Sequence, residues 1–140
     1  MNVKIITEIE DKYLPELKVL FDLNPISEGR SLDEIKQLLD NTDLVIGCID
    51  SDAKKVIGIG RVLTDYVYKA WIYDVRVSED FRSKGIGTLI IESILENSKL
   101  NHVKHFDLIC DPETKPFYEA MGFRCLKGDR EYLRFIRNFE

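Results

Sequence analysis

The sequence predicts an α+β fold in which helices are layered on a mixed β-sheet. The chain has 140 residues, which is the size of one ordinary domain with a continuous core. It contains no internal repeat, no low-complexity tract and no linker rich in proline, glycine or serine, so we expect one domain over residues 1–140. The predicted elements follow the order β-α-α-β-β-β-α-β-α-β-β rather than a regular alternation of strand and helix, and this order favours a mixed sheet.

The N-terminal third contains one predicted strand and two predicted helices. Residues 3–7 form a short apolar strand, and leucines at helical spacing predict a helix over residues 11–23. Residues 24–29 contain proline and glycine and are predicted to form a loop. Ser31 and Glu34 have the spacing of a capping box, which predicts that a second helix starts there and ends at Leu39.

The central part of the chain changes to strand-like patterns. Apolar runs at 44–49 and 56–63 flank turn-forming residues at 50–54, and this arrangement predicts a hairpin. A third strand is expected at 70–77, followed by a loop. A helix over 86–98 and a short buried strand at 106–110 complete the region.

The C-terminal part is predicted to contain one helix and a closing hairpin. Prolines within residues 112–116 open a helix that ends at Met121 and Gly122, since glycine readily adopts a left-handed cap. Residues 123–126 and 132–137 are predicted as the last two strands, joined by a turn at 127–129.

Composition and charge exclude several classes of function. The formal net charge is −5, which makes a nucleic-acid backbone an unfavourable partner, whereas a cationic substrate is compatible with that sign. No apolar run approaches the roughly 20 residues of a membrane helix, and the N-terminus lacks the pattern of a signal peptide. We therefore expect no membrane partner and a cytoplasmic location.

Neither the cysteines nor the histidines form a metal-binding pattern. Cys48, Cys110 and Cys125 lie in apolar surroundings without a C-x-x-C pair, which predicts buried thiols in a reducing compartment. His102 and His105 have no other ligand type clustered with them, so we expect a surface pair at the end of a helix. No metal site is predicted.

The run Arg82-Ser83-Lys84-Gly85-Ile86-Gly87 lies between a predicted strand and a predicted helix. Glycines let backbone N–H groups approach a phosphate, the first helical turn offers unpaired donors, and Arg82 and Lys84 add positive charge. Glycines also serve a tight connection that binds nothing, and the run alone does not separate these interpretations. Ile90 stands where a dinucleotide-binding fingerprint needs its third glycine, and the Gly-Lys-Ser/Thr ending of a Walker loop is absent.

Two segments resemble motifs of the GCN5-related N-acetyltransferase (GNAT) family. The segment from Asp74 to Gly87 resembles the central motif, Arg/Gln-x-x-Gly-x-Gly/Ala after a strand, with Ser83 where the family frequently has glycine. The segment Phe117–Phe123 resembles the second motif, a helix ending Tyr-x-x-x-Gly-Phe. The resemblance covers residues 61 to about 125 and extends to the N-terminal helices only by topology. It implies a mixed, mostly antiparallel central sheet flanked by four helices, in a small bacterial-type member.

The resemblance also implies an activity, the transfer of an acetyl group from acetyl-CoA to a primary amine of a small molecule or peptide by direct attack in a ternary complex. In this family the strand before the turn is splayed or bulged, so that its backbone meets the pantetheine arm and polarises the thioester carbonyl. The residues assigned to cofactor binding are Val75, Arg76, Val77, Arg82, Ser83, Lys84, Gly85, Ile86, Gly87, Thr88 and Tyr118. A homodimer formed through the C-terminal strands is a further expectation.

Two side chains are candidates for proton transfer. The resemblance places Tyr118 near the cofactor sulfur as general acid, and a packing role for its ring is the alternative. Asp74 precedes the cofactor-binding backbone and could take the amine proton directly or through water. Strand alternation predicts one face with Trp71, Tyr73, Val75 and Val77 and another with Ile72, Asp74 and Arg76. A surface pair between Asp74 and Arg76 is therefore the alternative role.

The acceptor site is predicted from aromatic residues and one loop. Ring faces can favour a cation, and ordinary sheet packing is the alternative role for such rings. The aromatic residues concentrated before and along the strand are Tyr66, Tyr68, Trp71 and Tyr73. The loop at 24–30 is expected to cover the acceptor, with Glu28 in contact with the amine.

Two other functions are compatible with the sequence. Residues 110–118 are similar to glucosamine-6-phosphate N-acetyltransferases, which usually carry asparagine where Thr114 stands. Such an enzyme needs a second anion site, for which the N-terminal half offers only Arg30 and scattered lysines. A non-catalytic acyl-CoA-binding sensor module is the other alternative, and the presence of Tyr118 favours the enzyme.

Overall fold

The computed structural model describes residues 2–126 and 131–137. The chain divides into two compact units, Met1–Ile109 and Cys110–Glu140. The strands, all in the first unit, are β1 (Val3–Ile6), β2 (Leu44–Asp50), β3 (Lys55–Thr64), β4 (Lys69–Val77) and β5 (His105–Asp107). The helices are α1 (Leu14–Phe21), α2 (Leu32–Asp40) and α3 (Ile86–Leu95) in the first unit and α4 (Lys115–Ala120) in the second.

The five strands form one sheet in the order β1-β2-β3-β4-β5. Strands β1 to β4 pair antiparallel, and β5 runs parallel to β4. The predicted fold class, an α+β arrangement with a mixed and mostly antiparallel sheet, is therefore confirmed. The organisation as a single domain stays a prediction.

Helices α1 and α2 pack on one face of the sheet through an apolar cluster. Leu17 and Phe21 of α1 are fully buried there with Ile35 of α2 and Ile59 of β3. The predicted capping box holds α2 at its start, since Ser31 accepts from the Glu34 amide at 3.1 Å and Glu34 accepts from the Ser31 amide at 2.9 Å. The segment between the two helices is thereby fixed at its downstream end.

Helix α3 packs on the opposite face. A Cβ atom added to Gly60 of β3 would lie 2.7 Å from Cγ2 of Ile90, so a glycine at this position allows the helix to approach the strand closely. Neighbouring residues of a strand point to opposite faces, and Arg61 therefore points toward the side of α1 and α2. The interior of the first unit consists of these two apolar layers.

Several predicted boundaries need correction. Residues 11–13 form a short 3₁₀ turn before α1 rather than its first turn. Helix α3 ends at Leu95 instead of 98, because Asn97 accepts a hydrogen bond from the Lys99 amide and starts a separate 3₁₀ turn. Strand β5 covers His105–Asp107 rather than 106–110, since it pairs with β4 only over these three residues.

The second unit contains α4 and its C-terminal cap. Gly122 adopts a positive φ of 102°, its amide donates to the Glu119 carbonyl at 3.0 Å, and the Phe123 amide donates to the Tyr118 carbonyl at 3.1 Å. These two bonds form a Schellman motif, which confirms the predicted left-handed cap. The motif also explains why glycine and phenylalanine follow the tyrosine at that spacing.

The predicted C-terminal hairpin does not form among the residues that the structure describes. Residues 123–126 and 131–137 have no regular secondary structure, and the predicted turn at 127–129 lies outside the described residues. The apolar side chains expected to alternate in these strands are exposed, Leu133 at 89% and Phe135 at 85%. Residues with alternating polarity form a strand only when they can pair with a neighbouring strand and pack on a core. Neither is found here within the described ranges.

The burial of the cysteines and the position of the histidines differ in part from the predictions. Cys48 is buried in β2 as expected, but Cys110 and Cys125 are exposed because both lie outside regular elements. His102 and His105 are exposed as predicted, but they follow the 3₁₀ turn and start β5 instead of ending a helix. Within residues 2–126 and 131–137 there is no cluster of three or more metal-ligating side chains and no helix long and apolar enough to cross a membrane.

Candidate active site

A β-bulge in β4 forms the centre of the candidate site. Ile59 pairs with Arg76 and Arg61 pairs with Tyr73, so that Asp74 and the next residue of β4 oppose a single residue of β3. Asp74 itself has a positive φ of 55°. A bulge of this kind twists the strand and redirects the side chains that follow it.

The bulge overturns the predicted alternation of side chains along β4. A Cβ atom on Gly60 would lie 3.6 Å from Cγ2 of Val75, beside Ile90 and Ile94 of α3, so Val75 faces α3. Arg76 instead points to the other side of the sheet, where its Nε donates to Ser27 at 3.0 Å. The prediction that Tyr73, Val75 and Val77 share a face was therefore wrong, because the extra residue shifts the period-two pattern by one position.

The edge of β4 beyond the bulge has no strand partner in the part of the chain that the structure describes. Strand β5 pairs with β4 only as far as Trp71, although β4 continues to Val77. Backbone groups of residues 72–77 that point away from β3 are therefore left without a sheet ladder. This arrangement offers main-chain hydrogen bonds to an extended ligand.

The turn that follows β4 exposes the start of α3. Ser83 and Gly85 have positive φ angles of 61° and 83°, residues 82–85 are exposed, and Gly85 is the N-cap with no side-chain cap on the helix. A Cβ atom on Gly85 would meet nothing within 4 Å. The amides of the first turn of α3 thus face open space together with the positive end of the helix dipole.

Two cations accompany this turn. Arg82 and Lys84 are exposed, and neither forms an ion pair with a residue that the structure describes. The ammonium of Lys84 lies 5.4 Å from the centre of the Phe81 ring. Backbone donors, a helix N-terminus and two cations without carboxylate partners match the requirements of a phosphate or pyrophosphate group.

On the face of α1 and α2, Asp74 is held by arginines. Arg30 donates to both carboxylate oxygens, at 2.7 and 3.3 Å, and Nε of Arg61 donates at 2.8 Å. Arg76 approaches at 3.9 Å. The Asp74 side chain is only 6% exposed, so the predicted surface pair of Asp74 with Arg76 is instead part of a buried cluster. We call Arg30, Arg61 and Asp74 the arginine–aspartate cluster.

The environment of Asp74 determines its protonation. Burial opposes ionisation, but the hydrogen bonds and positive charges of Arg30 and Arg61 outweigh it, so that the pKa of Asp74 lies below its ordinary value. The carboxylate is therefore ionised at neutral pH. A carboxylate with a lowered pKa and three guanidinium neighbours is a weak acceptor for a further proton.

The segment between α1 and α2 is tied to β4 by a second contact. Ser27 is fully buried; its hydroxyl donates to the Phe21 carbonyl at 2.7 Å and accepts from Arg76. Arg30 of the same segment stacks over the Phe21 ring, with 4.9 Å from the guanidinium carbon to the ring centre. The loop predicted to cover the acceptor thus lies against the bulged strand.

Tyr118 occupies the third-last position of α4 in the second unit. Its ring makes edge-to-face contacts with Phe117 at 4.9 Å and with Phe123 at 5.8 Å. The Schellman motif places Phe123 against it, since this motif brings the residue after the glycine over the last helical turn. The local sequence therefore orients the tyrosine ring within its own unit.

Comparison with known proteins identifies the family. The model of the acetyltransferase (GNAT) family matches residues 6–123, a range that includes the bulge, the turn and α4. The chain belongs to the GNAT family. It is accordingly an acetyltransferase, and the family generally uses acetyl-CoA.

Individual relatives of this GNAT chain are distant in sequence. The uncharacterized N-acetyltransferase ycf52 of Pyropia yezoensis is 28% identical over 83% of this chain and 72% of its own. A probable acetyltransferase of unknown function from meticillin-resistant Staphylococcus aureus has a TM-score of 0.80 at 22% identity, covering 96% of this chain and 99% of that one. Glucosamine-6-phosphate N-acetyltransferase from Arabidopsis thaliana has a TM-score of 0.76 at 18% identity, with full coverage of both chains. These two structures establish the fold.

The aromatic residues predicted for the acceptor site of this acetyltransferase separate into two groups. Trp71 stacks on Tyr73 at 6.5 Å between ring centres, and Tyr73 carries the Arg61 guanidinium at 5.1 Å, so both adjoin the cluster. Tyr66 lies exposed in the β3–β4 turn, and Tyr68 contacts His105 instead. Only the first group lies beside the bulge.

Glu28 is exposed, and its side chain forms no hydrogen bond or ion pair with the described part of the GNAT chain. Its amide donates to the Asn24 carbonyl at 2.9 Å, which shapes the loop. The contact of Glu28 with the amine therefore stays a prediction.

Sequence reasoning missed Arg61 and Ser27 and undervalued Arg30. One signal was present, because Asp74 stands in a strand of otherwise apolar and aromatic residues and a carboxylate buried there needs cationic partners. The identity of those partners could not be read from the sequence, since they lie 44 and 13 residues away.

Proposed function

We propose that the protein transfers an acetyl group from acetyl-CoA to a primary amine of a small molecule or peptide, by direct attack in a ternary complex. The observation that carries the proposal is the exposed N-terminus of α3, without a side-chain cap, which follows a bulged strand whose pairing with β5 stops at Trp71. In the GNAT family this pairing of features serves the acyl donor. A homodimer and a cytoplasmic location belong to the same proposal, and light scattering of the purified protein tests the former.

The residues present fit coenzyme A. The amides of residues 83–88 and the charges of Arg82 and Lys84 would hold its pyrophosphate. The backbone of β4 at Val75, Arg76 and Val77, beyond the end of its pairing with β5, would bind the pantetheine arm and polarise the thioester carbonyl. Gly85 supports the fit because the space beside its Cα is open. When bound, acetyl-CoA supplies the activated acetyl group as a thioester.

Two proton transfers are needed, one to the departing thiolate and one from the attacking amine. We propose that Tyr118 holds the hydroxyl proton that the departing thiolate takes. Asp74 is the less suitable proton acceptor, because its pKa is lowered and arginines occupy its oxygens. We therefore propose that the amine loses its proton to water and that Asp74 positions the arginines and the strand bulge.

Thiol release with a panel of amines tests the enzyme, and calorimetric titration with CoA tests the donor site. Tyr118→Phe should lower kcat by about 100-fold or more, the usual contribution of a general acid, while the Kd for CoA changes less than about twofold because the backbone contacts remain. Tyr13→Phe, which removes a hydroxyl from the turn before α1, is the matched control and should behave as wild type. An unchanged kcat in Tyr118→Phe would remove the tyrosine from the mechanism.

The same assays separate the enzyme from a sensor module. A sensor binds CoA and releases no thiol with any amine, whereas the proposed enzyme does both. A protein that fails to bind CoA would refute both functions.

A further inference from the structure

We infer that the acceptor carries an anionic group, a carboxylate or a phosphate, which binds to Arg30 and Arg61. The inference deepens the proposed function and rests on it, since it defines the class of amine that the site accepts. The binding groups belong to the arginine–aspartate cluster beside the β4 bulge.

The cluster carries an excess of positive charge. Arg30 and Arg61 share one carboxylate, that of Asp74, so among the residues that the structure describes one of the two positive charges has no counter-ion in direct contact. Their remaining contacts are neutral: Arg61 donates to the Thr42 hydroxyl at 3.3 Å, and Arg30 stacks on the Phe21 ring. Partly buried positive charge without a partner is costly unless an anion compensates it.

Two carboxylates near Arg30, those of Glu34 and Asp22, are already committed elsewhere. Glu34 contributes electrostatically to the surroundings of Arg30, but its oxygen accepts the Ser31 amide in the capping box at 2.9 Å. Asp22 pairs with Lys18 at 3.3 Å and accepts from the Gly29 amide. Neither side chain can move to Arg30 without breaking the start of α2 or the preceding loop.

The cluster also has unused hydrogen-bond donors. A guanidinium has five N–H groups in a fixed plane. Arg61 uses the N–H of Nε for Asp74 and one N–H of Nη1 for Thr42, which leaves both N–H groups of Nη2 and one of Nη1. Arg30 uses one N–H each of Nη1 and Nη2 for Asp74, which leaves Nε and one N–H on each Nη. Side-chain exposures of 22% for Arg30 and 13% for Arg61 leave room for a ligand to approach. Stacking on Phe21 and Tyr73 fixes both planes, so the site is preorganised.

The groups that would bind a cation at this site are already occupied. A cationic acceptor would need ring faces or a carboxylate, yet the Tyr73 ring carries Arg61 at 5.1 Å and the Trp71 ring carries Lys69 at 5.3 Å. The Asp74 carboxylate is occupied as described. The faces of these two rings are therefore not available to a cationic acceptor, and the positive charge of the cluster repels such an acceptor.

Matched acceptors test the inference through thiol release. The carboxylate arm compares β-alanine with β-alaninamide, the phosphate arm compares glucosamine 6-phosphate with glucosamine, and spermidine serves as the cationic acceptor. We expect kcat/KM of at least one anionic member to exceed that of its neutral partner by about tenfold or more, the effect of one charge-assisted hydrogen bond. At saturating acetyl-CoA, added salt should lower kcat/KM more for the anionic member than for its neutral partner. Equal values within both pairs, or a preference for spermidine, would overturn the inference while leaving the acetyltransferase intact.

Variants separate anion binding from a structural role. Arg61→Gln should reduce the ratio of kcat/KM within the preferred pair toward one, Arg61→Lys should retain part of it, and the KM for acetyl-CoA should stay the same. A purely structural arginine would lower both members of the pair equally and leave the ratio unchanged. Lys104→Gln removes one exposed positive charge at the other end of β4 and should leave the ratio as in wild type.

A second measurement does not depend on turnover. CoA-saturated protein, in which the turn before α3 is occupied, is titrated calorimetrically with inorganic phosphate and with malonate. At least one of them should bind to wild type and lose affinity at least about tenfold in the pair variant Arg30→Gln/Asp74→Asn, which avoids an orphan carboxylate. If neither anion binds, the inference fails even when no amine has turned over. If CoA itself fails to bind, the proposed function fails instead.

Discussion

The turn before α3 and the arginine–aspartate cluster both adjoin β4 but are built differently. The turn is one contiguous run of residues, its donors are backbone amides, and its cations are exposed. The cluster draws side chains from the α1–α2 segment, β3 and β4, and its carboxylate is buried. A site made from backbone tolerates changes of side chain, whereas a site made from paired charges depends on each partner. Variants that change one region and leave the other intact should therefore differ in their effects on stability and on CoA binding.

The largest expected effect is on stability when the cluster loses its carboxylate. Asp74→Asn leaves two partly buried guanidinium groups without their counter-ion and should lower the free energy of unfolding by about 3 kcal/mol. Urea denaturation measures it. CoA affinity of the folded variant should change less than about twofold, since the turn is not touched.

The control is Asp107→Asn, which removes one partner of a more exposed pair. Lys69 and Asp107 are 3.0 Å apart with side chains 35% and 25% exposed, so the expected loss is below about 1 kcal/mol. Equal losses in the two variants, or a parallel loss of CoA affinity in Asp74→Asn, would contradict the distinction between the two sites.

The pH dependence of stability should reveal the same carboxylate. Because the pKa of Asp74 is lowered in the folded protein, its contribution is fully present above the ordinary carboxyl value of 3.8 and is lost as the pH falls below that value through the folded pKa. Unfolding measured between about pH 5 and pH 2 should therefore show a smaller loss of stability on acidification in Asp74→Asn than in wild type. Parallel curves would mean that Asp74 does not contribute.

A backbone change should affect the turn but not the cluster. Gly85→Ala places a Cβ at a φ of 83°, which costs about 1 kcal/mol in stability, and it fills space that a phosphate would approach. We expect CoA binding to weaken by roughly tenfold, equivalent to one charge-assisted hydrogen bond, with the anionic preference unchanged. Calorimetry and the paired acceptors measure both. Unaltered CoA affinity would argue against the turn as the pyrophosphate site.

The smallest effect concerns Ser83. Its φ of 61° favours glycine, so Ser83→Gly removes backbone strain from the folded protein. Glycine also increases the conformational entropy of the unfolded chain, which partly offsets this gain. The free energy of unfolding should therefore rise by up to about 1 kcal/mol. Ser78→Gly, at a φ of −54°, has no such relief and should be destabilised by up to about 1 kcal/mol. CoA affinity should be unchanged in both, because the backbone donates. A destabilised Ser83→Gly would show that the serine side chain has a structural role.

The predictability of the two sites from the sequence follows from their construction. The capping box at Ser31, the glycine cap at Gly122 and the turn at Gly85 involve residues within a few positions of each other, and all three were correctly predicted as local features. The bulge at Asp74 inserts a residue into a regular period, and no local rule indicated it. The partners Arg30 and Arg61 reach Asp74 only because the α1–α2 segment and β3 pack beside β4.

The same limit applies to elements that depend on neighbours. Strand β5 and the C-terminal segments have apolar residues suited to strands, but pairing determines where a strand begins and ends. Pairing with β4 stops at Trp71, and residues 131–137 have no strand partner within the described ranges. Cys48 was predictable because its strand is central, and its burial raises the pKa of the thiol to about 11. Cys110 and Cys125 depended on elements that did not form as predicted.

The bulge at Asp74 gives β4 one residue more than the facing stretch of β3 needs for regular pairing. Deleting Asp74 would bring Val75 alone opposite Gly60 and leave every later side chain on its present face, with Arg76 still opposite Ile59. The sheet would keep its register, but Arg30 and Arg61 would lose the carboxylate that they share. The extra residue is therefore a one-residue insertion that adds a charge to the face of α1 and α2 while the pairing on either side of it stays regular.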